Sequence, residues 1–139
     1  MKRPLVTLLA CAVALPALAQ DASQDWDLVN DERRKLMVAY SQFNNGVGIA
    51  TRCVDGGFEA VITGLPPAGR VSNRPLRIAF GEDELTSYNW SVGIDDTIAV
   101  SQLPAPFARE LREGGRLRIL MPRGAPDGRN LMYDLTLPA

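Results

Sequence analysis

The chain has 139 residues, with 15 basic against 16 acidic side chains and no histidine. That balance gives no general attraction to nucleic acid or to an anionic membrane. The missing histidine removes Ser-His-Asp and Cys-His catalysis in their usual form, together with the commonest zinc ligand.

Lys2 and Arg3 precede an apolar run over residues 5–14, and Ala17-Leu18-Ala19 closes it with a small-x-small pattern. This is the order of a secretory signal over residues 1–19, cleaved after Ala19. A membrane span needs about 20 apolar residues, and this run is shorter and is broken by Pro16. Leu8-Leu9-Ala10-Cys11 resembles a lipidation box, but the chain stays apolar beyond Cys11 where a lipidated cysteine is followed by polar residues, so ordinary cleavage is expected. Removing Lys2 and Arg3 from 15 basic side chains leaves 13 against 16 acids, a mature charge of −3.

Residues 20–34 read as a flexible acidic segment, within which Trp26-Asp27-Leu28-Val29 suggests a short first strand. Residues 35–43 read as a strand that turns through Asn44-Asn45-Gly46. A three-residue loop with a left-handed Gly46 would place Met37, Ala39 and Phe43 on the side of Ile49, whereas a two-residue Asn45-Gly46 turn would place Gln42 and Asn44 there; the former is preferred. Asp55-Gly56 is a two-residue hairpin signal. It predicts Ile49 opposite Ile62, Thr51 opposite Ala60, Arg52 opposite Glu59 and Cys53 opposite Phe58, with an apolar face and a polar one. The three strands form a meander.

Residues 64–74 carry Pro66-Pro67 and read as a connection. Leu76, Ile78 and Phe80 alternate in the next strand, and residues 81–84 form a charged turn. Residues 87–94 form a strand with Tyr88, Trp90, Val92 and Ile94 on one face, turned by Asp95-Asp96 into a strand over 97–101. Residues 104–113 give the one helix signal, with Phe107 and Leu111 spaced i, i+4 and Gly114-Gly115 as the stop. Leu117, Ile119 and Met121 alternate in a strand, residues 123–129 form a loop, and Leu131, Tyr133, Leu135 and Leu137 alternate in the last strand. The segment 35–139 is therefore expected to be a single all-β domain. Its architecture would be an antiparallel β-sandwich or open barrel of about eight strands with one short helix.

Chemistry-bearing residues are few. Cys53 stands alone after cleavage, which excludes an intramolecular disulfide. An exposed thiol in an oxidising space reacts or cross-links, so Cys53 is expected in the core against Phe58. Glu82-Asp83-Glu84 and Asp95-Asp96 lack the alternating ligands of a calcium loop and read as solvated turns. Neither GxxxxGK[ST] nor GxGxxG is present, so no cofactor is expected. Arginine is concentrated late: residues 109–139 hold 6 arginines and 4 acids. Arg109, Arg112, Arg116, Arg118, Arg123 and Arg129 are accordingly the candidate partner-binding residues. Their ordinary alternative is a solvated face.

One order of features resembles a known group. Arg52-Cys53 before a glycine turn, a strand ending at Gly64-Leu65, Trp90 in a late strand, Asp95, Phe107-Ala108-Arg109-Glu110-Leu111 and Leu117-Arg118-Ile119 are similar to small periplasmic β-sandwich proteins of proteobacteria. The type VI secretion-associated proteins and the invasion-associated locus B family are the two groups in question. Both pair the cysteine with a second, which this chain lacks, and neither supplies catalytic residues to carry over.

The expected function is that of an exported, non-enzymatic cell-envelope protein, periplasmic or secreted, that binds a partner protein or a cell-wall component. Loops 64–74 and 123–129 are the segments it would present. The alternatives are a small envelope hydrolase using carboxylates or Cys53, and a secreted effector or hydrolase inhibitor. The hydrolase reading requires an acid-lined pocket or an exposed, ionised thiol.

Overall fold

The computed structural model describes residues 25–54 and 56–138. The expected signal segment 1–19, Cys11 and residues 20–24 lie outside them. Among the described residues nine strands and one helix follow one another: β1 Asp27–Asp31, β2 Leu36–Gln42, β3 Gly48–Val54, β4 Gly57–Thr63, β5 Asn73–Phe80, β6 Thr86–Val92, β7 Ala99–Ser101, α1 Pro104–Arg112, β8 Gly115–Met121 and β9 Leu131–Leu137. All pairings are antiparallel, in one sheet of order β1-β2-β3-β4-β7-β6-β5-β8-β9. The fold is all-β, as expected.

The sheet curls on itself without closing. β1 and β9 remain its two edges, and Trp26 bridges them by donating from Nε1 to the Pro138 carbonyl at 3.3 Å. The inward side chains converge on one core. Ile49 and Ile62 from β3 and β4 meet Leu76, Leu117, Ile119 and Leu135 from the other half of the sheet, all fully buried.

Local chemistry accounts for these elements. The β3–β4 register is the expected one: Arg52 faces Glu59 and Cys53 faces Phe58, and Arg52 Nε donates to Glu59 Oε2 at 2.6 Å. The β2–β3 loop has three residues. Phe43 N–H donates to Val47 O at 2.8 Å, and Gly46 takes the left-handed φ of 88° that the loop demands. Gly64 (φ 72°) ends β4 so close to that loop that a Cβ there would lie 2.1 Å from the Gly46 carbonyl oxygen. Pro104 presets the first turn of α1, and Phe107 and Leu111 bury its inward face.

The short first strand suggested at Trp26-Asp27-Leu28-Val29 is present as β1, paired along β2 from Asp27 to Asp31, and it brings the described strands to nine. Three expectations are corrected. β5 starts at Asn73 and contains Pro75. The β8 ladder reaches β5 only at Arg77, so Pro75 has a partner on one side alone and its missing N–H costs nothing there. Ile94 is fully exposed, because β6 ends at Val92 and Ile94 sits in the following turn. Cys53 is exposed, not buried. It lies on the predicted face, but the core covers that face only near Val47, Ile49, Ala60 and Ile62. Towards the hairpin tip Met37 and Phe58 emerge into solvent. Alternation decides which face a residue takes, not how far along the strand the core extends.

The two ends of the curled sheet differ. At one end the 64–72 connection lies across the turn between β6 and β7. There Leu65 N–H donates to Thr97 O at 3.1 Å and Ala68 N–H to Asp96 O at 3.0 Å. At the other end α1 lies over the inward face and leaves a depression on each side of it.

Candidate functional site

The first depression is a cavity of about 340 Å³ between the β5–β6 hairpin, the end of β7 and the first two turns of α1. Its wall is aromatic. Phe80, Tyr88 and Trp90 come from the inward side of the hairpin and Phe107 from the helix. Phe107 organises the wall. Its ring meets Trp90 edge-on, with centroids 5.1 Å apart and planes at 88°, and meets Phe80 at 5.7 Å. Edge-to-face packing of this kind adds about 0.5–1.5 kcal/mol beyond area burial. Trp90 is 2% exposed and fixed, whereas Tyr88, two residues earlier on the same face, is 43% exposed. The wall thus combines a rigid apolar base with one accessible ring.

Three carboxylates stand around the mouth: Asp83 and Glu84 from the β5–β6 turn and Glu110 from α1. All three are exposed. No lysine or arginine among the described residues lines the cavity. Among the described residues no three histidine, cysteine or acidic side chains gather closely enough to hold a metal ion.

The turn bearing two of these acids is braced from β8. Gly81 N–H donates to the Arg116 carbonyl at 2.8 Å, and Arg118 Nη2 donates to the Asp83 carbonyl at 2.5 Å. Arg116 forks onto Asp134, with Nη2 to Oδ2 at 2.7 Å and Nε to Oδ1 at 3.0 Å, and reaches Glu82 at 3.4 Å. The hydrogen bond from Arg116 holds the Asp134 carboxyl below the usual carboxylate range, and Asp134 in turn raises the Arg116 guanidinium above its ordinary value.

The six arginines nominated by sequence are therefore put to different uses. Arg116 and Arg118 hold the acidic turn. Arg129 pairs with Asp127 at 3.4 Å in the loop beyond β8. Arg123, in the same loop, has a positive φ of 56°, and its N–H donates to Asn130 Oδ1. Arg109 and Arg112 occupy the last turn of α1, where they complement its carbonyl end. Loop 64–74, nominated as a presented segment, is tied down. Arg74 is 6% exposed and donates from Nη2 to Pro66 O at 2.9 Å and from Nη1 to Asp96 O at 3.2 Å.

The second depression is an apolar groove between α1 and the β1–β4 half of the sheet. Trp26, Leu28 and Phe58 face Ala108, Leu111 and Arg112 across it. Leu28, 77% exposed, and Met37 extend its apolar surface.

Sequence reading did not single out the aromatic wall or Glu110, and it took Asp83 and Glu84 as part of a solvated turn. Tyr88 and Trp90 are legible as one strand face and Phe107 as a helix face, but their meeting depends on α1 packing on β4 so that Phe107 reaches the β5–β6 rings. No family model, curated protein or solved structure matches the chain.

Proposed function

We propose that this is an exported, non-enzymatic cell-envelope protein that binds a partner protein or a cell-wall component in the cavity between the β5–β6 hairpin and α1. The observation that carries the reading is the cavity itself. It joins a packed aromatic wall to an accessible tyrosine and a polar rim, the composition of a preformed ligand site. The leading segment 1–19 supports export, and the similarity to periplasmic β-sandwich proteins points to the same compartment.

Hydrolysis by carboxylates is the second reading, and the acids around the cavity favour it. A glycosidase keeps one carboxyl protonated by seating it in a dry, apolar environment. Asp83, Glu84 and Glu110 are all exposed instead, which places binding ahead. Cys53 does not line this cavity.

Pull-down from an envelope extract is the direct test. The wild-type chain is expected to retain a component that Tyr88→Ala loses. If the purified chain retains nothing and instead turns over a glycan or an ester, with activity lost in Glu110→Gln, the binding reading is wrong. Mass spectrometry of the mature chain is expected to find an unlipidated N-terminus at Gln20.

A further inference from the structure

We infer that the group seated in this cavity is a cation, an ammonium or guanidinium on an apolar stem. The inference rests on the reading of the cavity as the ligand site and specifies its chemistry. Charge complementarity is the first argument. Asp83, Glu84 and Glu110 stand at the mouth, and among the described residues no basic side chain lines it. The Arg118 guanidinium of the brace is engaged with the Asp83 backbone carbonyl, so an anion would meet three carboxylates with no cation in the lining. The aromatic wall is the second. A cation over the face of tryptophan or tyrosine is attracted by the ring quadrupole, more so where water is excluded. Tyr88 offers an accessible ring, and the partly buried Phe80 offers apolar surface for the stem, with Trp90 and Phe107 buried behind them as a rigid base.

The helix end does not reverse this preference. The N-terminus of a helix attracts anions through its free N–H groups. Here Pro104 and Pro106 supply none at two of the first positions. A bare metal ion is disfavoured because no metal-holding group of acids forms among the described residues. Volume sets the scale: about 340 Å³ is at the small end of ligand pockets, enough for a side chain or a small amine. A lysine or arginine of a partner protein and a free polyamine share this chemistry.

The test is calorimetric titration of the mature chain with three probes of one shape: benzylammonium, benzyl alcohol and benzoate. Benzylammonium is expected to bind at least about tenfold more tightly than benzyl alcohol, and benzoate not at all. Its affinity is expected to fall as salt is raised, since exposed charges are screened. The variant Asp83→Asn/Glu84→Gln/Glu110→Gln, with unchanged thermal unfolding, is expected to bring benzylammonium down to the level of benzyl alcohol. Tyr88→Ala is expected to weaken both. Spermidine and N-acetylarginine amide distinguish the sources. Tighter binding of the first assigns a free amine, tighter binding of the second a protein side chain, and either supports the inference. Equal binding of benzyl alcohol, or tighter binding of benzoate, would overturn the cation while leaving the cavity as a ligand site. If no probe binds and Tyr88→Ala still retains its partner from the extract, both the cation and the site are overturned.

Discussion

Cys53 and Asp134 illustrate how much a single side chain's surroundings decide. Cys53 lies near the tip of the β3–β4 hairpin, exposed beside Met37 and Phe58. It is expected to react with a thiol reagent in the native protein within the mixing time of a bench assay, without denaturant; a thiol that labels only on unfolding would contradict its placement. Asp134 has the opposite character, since its carboxylate is held by the Arg116 fork. Its folded-state pKa is depressed by that hydrogen bond. The pair therefore contributes stability above the unfolded carboxylate value of about 3.9, and this is lost as pH falls through the lower folded value. Asp134→Asn is expected to cost about 0.3–1 kcal/mol at pH 7, and the loss to shrink towards zero in acid unfolding curves near pH 2–3. An equal loss at both pH values would remove the ion pair as its cause.

Elements are held in place by a few polar fastenings that a local reading of the chain does not reveal. Arg74 is the principal one. Burial pulls its guanidinium below the ordinary value, opposed by Asp96, and its two terminal nitrogens fasten the 64–72 connection and the β6–β7 turn to β5. Arg74→Met is expected to cost about 2–4 kcal/mol in denaturant unfolding, because two carbonyls lose charged donors. A cost under about 0.5 kcal/mol would mean that water replaces the guanidinium there. By contrast the β3–β4 hairpin was legible residue by residue. Its turn chemistry set the register, and Arg52 opposite Glu59 followed. The helix was equally legible from Phe107, Leu111 and the glycines after it. Arg74 was not, since an arginine beside Asn73 and Pro75 reads as part of a polar connection. Only the distant Pro66 and Asp96 carbonyls make it a core residue.

The whole molecule is a sheet curled around one core, and its candidate site arises at that scale. β7, β6 and β5 stand between β4 and β8 in the sheet, and α1 follows β7 in the chain. α1 packs chiefly against β4, and from there its Phe107 reaches Trp90 and Phe80 and its Glu110 the mouth that holds Asp83 and Glu84. Periodicity along the chain carries each face but not this packing, so the all-β class was readable while the cavity was not. The same limit applies to Cys53, whose face was right and whose burial was wrong, because the buried core stops short of the hairpin tip. Arg116 and Arg118 likewise read as a surface patch. In the fold they brace the acidic turn, and the face they would have offered to a partner is largely neutralised by Asp134 and Glu82. Two depressions compete for a ligand at the α1 end of the sheet, the aromatic cavity and the apolar groove by Trp26 and Phe58.

Mapping of amide shifts in the mature chain on titration with benzylammonium separates these two surfaces directly. Binding in the aromatic cavity predicts that the largest changes fall in residues 78–90 and 101–110, with Trp90 Nε1 among them and Trp26 Nε1 unmoved. Changes centred on Trp26, Leu28 and Phe58, with residues 78–90 silent, would contradict the assignment of the cavity as the ligand site.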